Sequence, residues 1–459
     1  MQKNSLNLNP KTNNRLTEGP ILKSIILLAI PIVIANLLQS MYQIIDTFWV
    51  GRLGKEAVAA VSLSFPIIML IITFSGGIGL AGAVLVAQYK GSGNSKMVNH
   101  VVGQTFFIVF LSSLFFSIIG YLLSPFIIQL LGAEADVIPS ANSYLKISFI
   151  GLIFIFGYMV YQSLARGVGD VKTPMYIVLL TVALNAVLDP LFIFGYGIIP
   201  AMGVSGAAVA TVLTQGIALF IGLGVFFSGK FDIHLKKSDL KPDYNFMKKI
   251  VRLGLPSSIE QSSRAVGFIV MTIIVASFGT VTLASYGIGM RIISLIIMPA
   301  LSLSIVNSTL VGQNFGARKI DRAKSIIKIS GIFGFVLLSL LGVLFFIFAT
   351  PIVKLFIPND LEVIKMGSLF IRVIAFSFGF IGIQMTLSGS FRGAGDTKIT
   401  MIIAMSVMVV QLSFAIILSK FTSLGTTGLW ISMPISNVFG AIISVIVYRR
   451  GKWSEKKVI

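Results

Sequence analysis

Runs of about twenty consecutive apolar residues recur along nearly the whole chain, and a helix needs a run of that length to cross a bilayer. Only short clusters of Lys, Arg, Gly, Pro and Asn separate them. About twelve can be counted, near 21–50, 57–88, 101–124, 139–165, 174–196, 203–228, 250–278, 282–312, 323–350, 364–390, 398–420 and 427–448. With 56% hydrophobic and 11% charged residues, the chain lies outside the range of soluble proteins. The expectation is an all-α polytopic membrane protein with twelve transmembrane helices.

A formal charge of +20 would suggest nucleic acid as a partner of a soluble protein, but its placement gives it another meaning. Lys3, Lys11, Arg15 and Lys23 precede or open the first span, and further basic residues follow every second span: Lys90 and Lys96, Arg166 and Lys172, Lys230 through Arg252, Arg318 through Lys328, Arg392 and Lys398, and the C-terminal tail. The intervening loops, such as LGAEADVIP and YGIIPAMG, are nearly free of them. Despite exceptions at Arg52, Lys55, Lys354, Lys365 and Lys420, the positive-inside rule predicts both termini cytoplasmic in a multi-pass protein of the plasma or inner membrane. Nucleic acid is not an expected partner; membrane lipids are. Cysteine is absent, which removes disulfides and thiolate chemistry. A polar N-terminal tail before a span too long for a signal-peptide core predicts that the first span is retained.

The chain is also duplicated. Sliding it by about 225 residues aligns Pro31 with Pro256, Gly54 with Gly279, and Ala87 to Gly91 with Gly312 to Gly316. One residue more brings Arg166-Gly-Val-Gly-Asp-Val-Lys172 onto Arg392-Gly-Ala-Gly-Asp-Thr-Lys398. Six spans per copy is an even number, so both copies enter the membrane from one side, as two six-helix bundles related by a pseudo-two-fold axis along the membrane normal. The expected division is a cytoplasmic tail at 1–20, an N-lobe at 21–228, a cytoplasmic linker at 229–249, a C-lobe at 250–448 and a C-terminal tail at 449–459.

Within the first span, Asn36, Gln39, Ser40, Gln43 and Asp46 recur three or four apart and share a helix face. A charge near the bilayer centre costs roughly 3 kcal/mol or more, so this face is expected to line a cavity or the protein interior. Thr181, Asn185 and Asp189 form a similar face in the fifth span, with Pro190 directly after. Both acids lie about five to eight residues before the outer ends of outward-running helices, hence at similar depth. Tyr144 and Thr211, on inward-running spans, reach the same layer, with Lys146 nearby. Asn36, Gln39, Gln43, Asp46, Thr181 and Asn185 are therefore candidate cavity residues. The plain alternative is a hydrogen-bonded structural network. The sharper reading is a protonation site, because desolvation and mutual repulsion oppose ionisation of both carboxylates, so a proton can be held and then released to water or displaced by a cation. Pro31, over four turns before Asp46, and Pro190 are candidate hinges, against the reading of passive kinks. The same shift places Met271 opposite Asp46 and Ala415 opposite Asp189, so the copies share a scaffold but not a chemistry.

The second half offers Glu260, Arg264, Arg291, Gln384 and Gln411. Glu260 and Arg264, four apart, are expected to neutralise each other, with a secondary ion or substrate site as the alternative. Gly77-Ile-Gly-Leu-Ala-Gly82 matches G-x-G-x-x-G but lies inside an apolar span with no preceding strand, so it reads as close helix packing. No phosphate-loop motif is present, and His100 and His234, both expected in cytoplasmic loops, give no histidine metal site or Ser-His-Asp arrangement.

Asp46-Thr-Phe-Trp-Val-Gly51, Asn185-Ala-Val-Leu-Asp-Pro-Leu-Phe-Ile-Phe-Gly195, Gly203 to Thr211 and Val311 to Ala317 together resemble the multidrug and toxic compound extrusion (MATE) family of secondary transporters, over nearly the whole chain. The resemblance implies a V-shaped pair of lobes and export of amphipathic, often cationic compounds by alternating access, driven by H⁺ or Na⁺. It is nearest to prokaryotic members with an N-lobe aspartate pair, carried here by Asp46 and Asp189 with Asn185, Tyr144 and Thr211 around them, where Na⁺ is an alternative to H⁺. Other members place cation-binding acids on spans seven and ten. This sequence departs from them: Glu260 lies about one turn from the expected position, Arg264 occupies it, and span ten has no acid. The expectation is therefore a monomeric antiporter, not an enzyme, with no cofactor and no structural metal. A lipid-linked oligosaccharide flippase of related architecture and a membrane-bound lipid-modifying enzyme are the alternatives. The first would need a cationic cavity for pyrophosphate, and the second clustered ligands near a membrane boundary.

Overall fold

The computed structural model describes residues 15–229, 233–456 and 459. The tail before Arg15, with Lys3 and Lys11, lies outside the described residues, as does Lys230. In hydrocarbon a helix satisfies its own amides, and the described residues are almost wholly helical. After a short α1 (Arg15–Glu18) come α2 (Ile21–Gly51), α3 (Lys55–Gly91), α4 (Ser95–Leu130), α5 (Ile138–Val168), α6 (Lys172–Phe194) and α7 (Val204–Phe227). The second half holds α8 (Tyr244–Ala276), α9 (Thr280–Gly316), α10 (Ile320–Ile347), α11 (Ala349–Phe356), α12 (Leu361–Ala375), α13 (Phe378–Gly393), α14 (Thr397–Lys420) and α15 (Thr426–Arg450).

Among the described residues eleven single helices are long and apolar enough to cross a membrane, and α12 with α13, bent by 50°, makes a twelfth span. The span expected near 364–390 is thus two helices that meet at an angle. At the break, buried Ser377 donates to the Ile374 carbonyl at 2.8 Å and accepts from Asn437 Nδ2 at 2.9 Å, supplying the partners that the interrupted helix lacks. The ninth span also ends earlier than read, and α11 follows it as a separate short helix. His100 lies within α4 rather than in a loop, 3.1 Å from Asp243 at the start of α8. The duplication recurs in the backbone: Gly54 and Gly279, which precede α3 and α9, have φ of 109° and 99°, which a Cβ would oppose.

The apolar cores are crossed between the halves. Ala35, Tyr42 and Val50 of α2 pack into the core of the first half, but Ile25, Leu28 and Ile32 pack with Leu303, Val306, Ile326 and Phe391 of the second. Conversely, Ile250 of α8 packs into the first half, whereas Met271 and Val275 pack with Tyr286, Phe370 and Trp430. Buried Pro31 lies beside the first crossing, and buried Pro256 precedes the second, α8 staying against α3 through Ser258 and Gln261.

Contacts between the halves gather at the end that carries the termini. Gly91 lies against the Gln313 carbonyl and Gly316 against that of Gln88, so close that a Cβ at either would fall within 2 Å of the carbonyl oxygen. The side chains repeat the pattern: Gln88 Nε2 donates to the Gly393 carbonyl at 2.9 Å and Gln313 Nε2 to the Gly167 carbonyl at 3.0 Å. Towards the other end the cores separate, giving a V-shaped pair of six-helix bundles.

Candidate coupling site and cleft

In the first half, α2 and α6 pack side by side, which brings Asp46 and Asp189 within electrostatic range of each other. Asp189 is fully buried, and Asn185 Nδ2, one turn earlier, donates to its Oδ1 at 2.7 Å. Helix α6 continues through Pro190. Tyr42, one turn before Asp46, joins the cluster from a position that reads in the sequence as packing. Its hydroxyl donates to Thr211 Oγ1 at 3.1 Å and lies 3.0 Å from Thr214 Oγ1, tying α2 to α7. Half-buried Tyr144 stands within electrostatic range of both acids and of Tyr42. The spacing of Tyr42, four before Asp46, was the available signal.

Three oxygens in this cluster are buried without a hydrogen-bond partner: Asp46 Oδ1, Asp189 Oδ2 and Asn185 Oδ1. Buried acceptors are normally satisfied, so three together on two packed helices form an arrangement that a proton on a carboxyl, or a small cation, would complete. Among the described residues no group of three or more His, Cys, Asp or Glu that could hold a metal ion occurs.

The remaining cavity candidates separate. Asn36 Nδ2 reaches across to Ser302 Oγ of α9 at 3.3 Å, so Asn36 belongs to the floor between the halves rather than to the acid cluster. Thr181 is buried and its hydroxyl bonds to the Val178 carbonyl of its own helix at 2.8 Å. Gln39 is half-buried and Gln43 exposed.

In the second half, Arg264 Nη2 and Glu260 Oε1 are 2.7 Å apart, the pairing expected from their spacing. A second guanidinium joins them. Arg392 Nη1 lies 2.8 Å from the same oxygen and its Nη2 donates to Ser304 Oγ at 2.6 Å. Arg392 reads in the sequence as a topogenic loop residue; it is instead the buried last turn of α13, 7% exposed. Its conjunction with Glu260 crosses 132 residues of sequence, so spacing could not have found it. Among the described residues no hydrogen bond joins Arg291, Gln384 or Gln411 to Glu260. Arg291 is exposed, Gln384 is buried beside Gly440, and Gln411 is half-buried.

A two-lobed bundle of membrane-spanning helices, with an acid pair inside one lobe and a cleft between the two, has the build of a secondary transporter. The MatE family model matches the chain twice, over residues 31–191 and 256–417, each match beginning at one of the repeated prolines, and the chain belongs to that family. Two Bacillus subtilis (strain 168) proteins are similar along their full length: the probable multidrug resistance protein YpnP, 30% identical over 96% of this chain and 98% of its own, and the probable multidrug resistance protein YoeA, 29% identical over 98% of each. Among solved structures, one described as the outward-facing conformation of a multidrug resistance MATE family transporter of the MOP superfamily superposes with a TM-score of 0.87 at 27% identity, covering 97% of this chain and 99% of that one.

Proposed function

We propose that this chain exports amphipathic, often cationic compounds across the plasma membrane by alternating access, acting as a monomer with inward movement of H⁺ or Na⁺ as the driving force. The observation that carries the reading is the set of unpartnered oxygens on Asp46, Asp189 and Asn185 inside the first lobe. Protonation or cation binding there, with Tyr144, Tyr42 and Thr211 around it, satisfies those oxygens, and release restores two charges that repel and attract water. The basic loops favour cytoplasmic termini, which makes the closed end the cytoplasmic one and the conformation outward-facing. The lobes are taken as 21–228 and 250–448, joined by the 229–249 linker. Pro31 and Pro190 are its hinges, and Pro31 is supported by its position where α2 leaves one core for the other. Full-length homology to proteins named for multidrug resistance favours drug-like substrates.

The test is dye efflux from vesicles under separately imposed H⁺ and Na⁺ gradients, comparing the parent with Asp46→Asn and Asp189→Asn. One gradient should drive efflux in the parent and neither should in the variants. Coupled efflux that persists unchanged in both inserted variants would end the proposal.

A further inference from the structure

Arg264 stands where α8 leaves the floor of the cleft. Ser258 Oγ donates to the Phe74 carbonyl of α3 at 2.6 Å and Gln261 lies against Gly76, so α8 is packed on the opposite half as far as that turn. One turn on, Arg264 keeps 34% of its side chain exposed. A guanidinium turned to acyl chains at such depth would cost several kcal/mol, so its open edge looks into the aqueous space between the lobes.

The charges around it do not balance. Glu260 is the one carboxylate paired with either arginine among the described residues, and its Oε1 is shared by both. Arg392 is enclosed, with Nη1 on Glu260 and Nη2 on Ser304. Arg264 gives Nη2 to Glu260, but its Nη1 has only the Met385 thioether at 3.5 Å, a weak acceptor. The cluster thus carries a surplus positive charge; Arg392 Nε is buried without a partner, and the unspent donors that a ligand can reach belong to Arg264. An added cation would face two guanidinium groups, so the secondary ion site considered for Glu260 has the wrong sign.

We propose that Arg264 receives an anionic group, a carboxylate or phosphate, on the amphipathic molecule held in the cleft, while Glu260 and Arg392 orient its guanidinium. This deepens the export reading and rests on it. With two acids in the opposite lobe, the preferred substrate class becomes zwitterionic, its cationic end towards Asp46 and its anionic end at Arg264.

The test uses the full-length protein in detergent and two probes of equal shape, a rhodamine with a free carboxylate and its methyl ester, read by fluorescence polarisation. The parent should prefer the acid, and Arg264→Gln should lower that preference by about tenfold while still binding the ester, which also reports that it is folded. Arg264→Lys, which keeps the charge, should retain most of the preference. Inorganic phosphate and phosphatidylglycerol in mixed micelles serve as competitors. Displacement of the acid by phosphate from the parent but not from Arg264→Gln assigns the site to free anions, and the same result with the lipid alone assigns it to a headgroup. An acid-to-ester preference unchanged in Arg264→Gln overturns the assignment to Arg264 and leaves export standing. A parent that binds neither probe overturns both.

Discussion

Asp189 and Glu260 are both buried carboxylates in membrane-spanning helices, one in each half of a duplicated chain, yet their surroundings are opposite. Asp189 has an amide donor on one oxygen, none on the other, and a second acid within electrostatic range. Glu260 likewise has one oxygen without a partner, but two guanidinium groups on the other. The repeat sharpens the contrast. The counterparts of Asp46 and Asp189, Met271 and Ala415, are fully buried in an apolar core with Trp430 and Tyr286, so the layer that is polar in one half is dry in the other. The counterpart of Arg392, Arg166, has no carboxylate partner among the described residues and bonds to Gln162 at 2.9 Å, with Ala35 standing where the second half has Glu260. A shared backbone therefore holds one lobe whose acids have no counter-charge and one whose buried acid is paired with two guanidinium groups. Only the first kind can change protonation without breaking an ion pair.

The largest effect that would separate the lobes is on coupling. Asp189→Asn should bring gradient-driven efflux to the uncoupled level, and Asp46→Asn should do the same; retention of coupling in Asp189→Asn would place the ion elsewhere. Stability should invert this order. Glu260→Gln leaves two buried guanidinium groups without a counter-charge and is expected to cost about 3–5 kcal/mol, whereas Asp189→Asn should stay within about 1 kcal/mol, both read by chemical unfolding in detergent. Equal losses would mean that the acid pair is a structural network after all.

Smaller effects test where the halves are alike. Gln88→Ala and Gln313→Ala each orphan one carbonyl at the closed end and should favour opening by about 1–3 kcal/mol apiece, measured as the population of label-to-label distances across that end in a chain with no native cysteine. A clear inequality between the two would show that the latch is not symmetric. The smallest effect concerns Asp243, which caps α8 outside the membrane through Phe246 N–H at 3.1 Å. That amide, with His100, holds its carboxyl below the ordinary aspartate range. Its contribution is present above that range and is lost as pH falls through the lowered value. Asp243→Asn should flatten this acid limb of a thermal-unfolding profile, and superimposable profiles would remove the cap's role.

Much of the architecture was legible in the chain. Hydropathy reported the spans, because lipid demands long apolar helices whatever packs beside them. Asn185 and Asp189 were found because four residues make one turn, and the Glu260–Arg264 pair for the same reason. Tyr42 is not legible as a site residue, because a tyrosine among apolar residues reads as packing until its hydroxyl is seen to bridge two threonines. Asn36 shares a helix face with Asp46, but α2 changes partners along its length, so one face meets α9 near Pro31 and the first half's core further on.

From its sequence alone this protein is a duplicated, twelve-span helical bundle with two unmatched acids in one copy, since span length, repetition and the positions of charges can be read along a line. Folding in three dimensions decided that the opening helices exchange cores, that Arg392 turns inwards to a carboxylate far from it in the chain, and that the halves meet at one end only. Those outcomes depend on helix rotation and on which apolar faces interlock. Faces that are equally lipophilic do not encode that choice one by one.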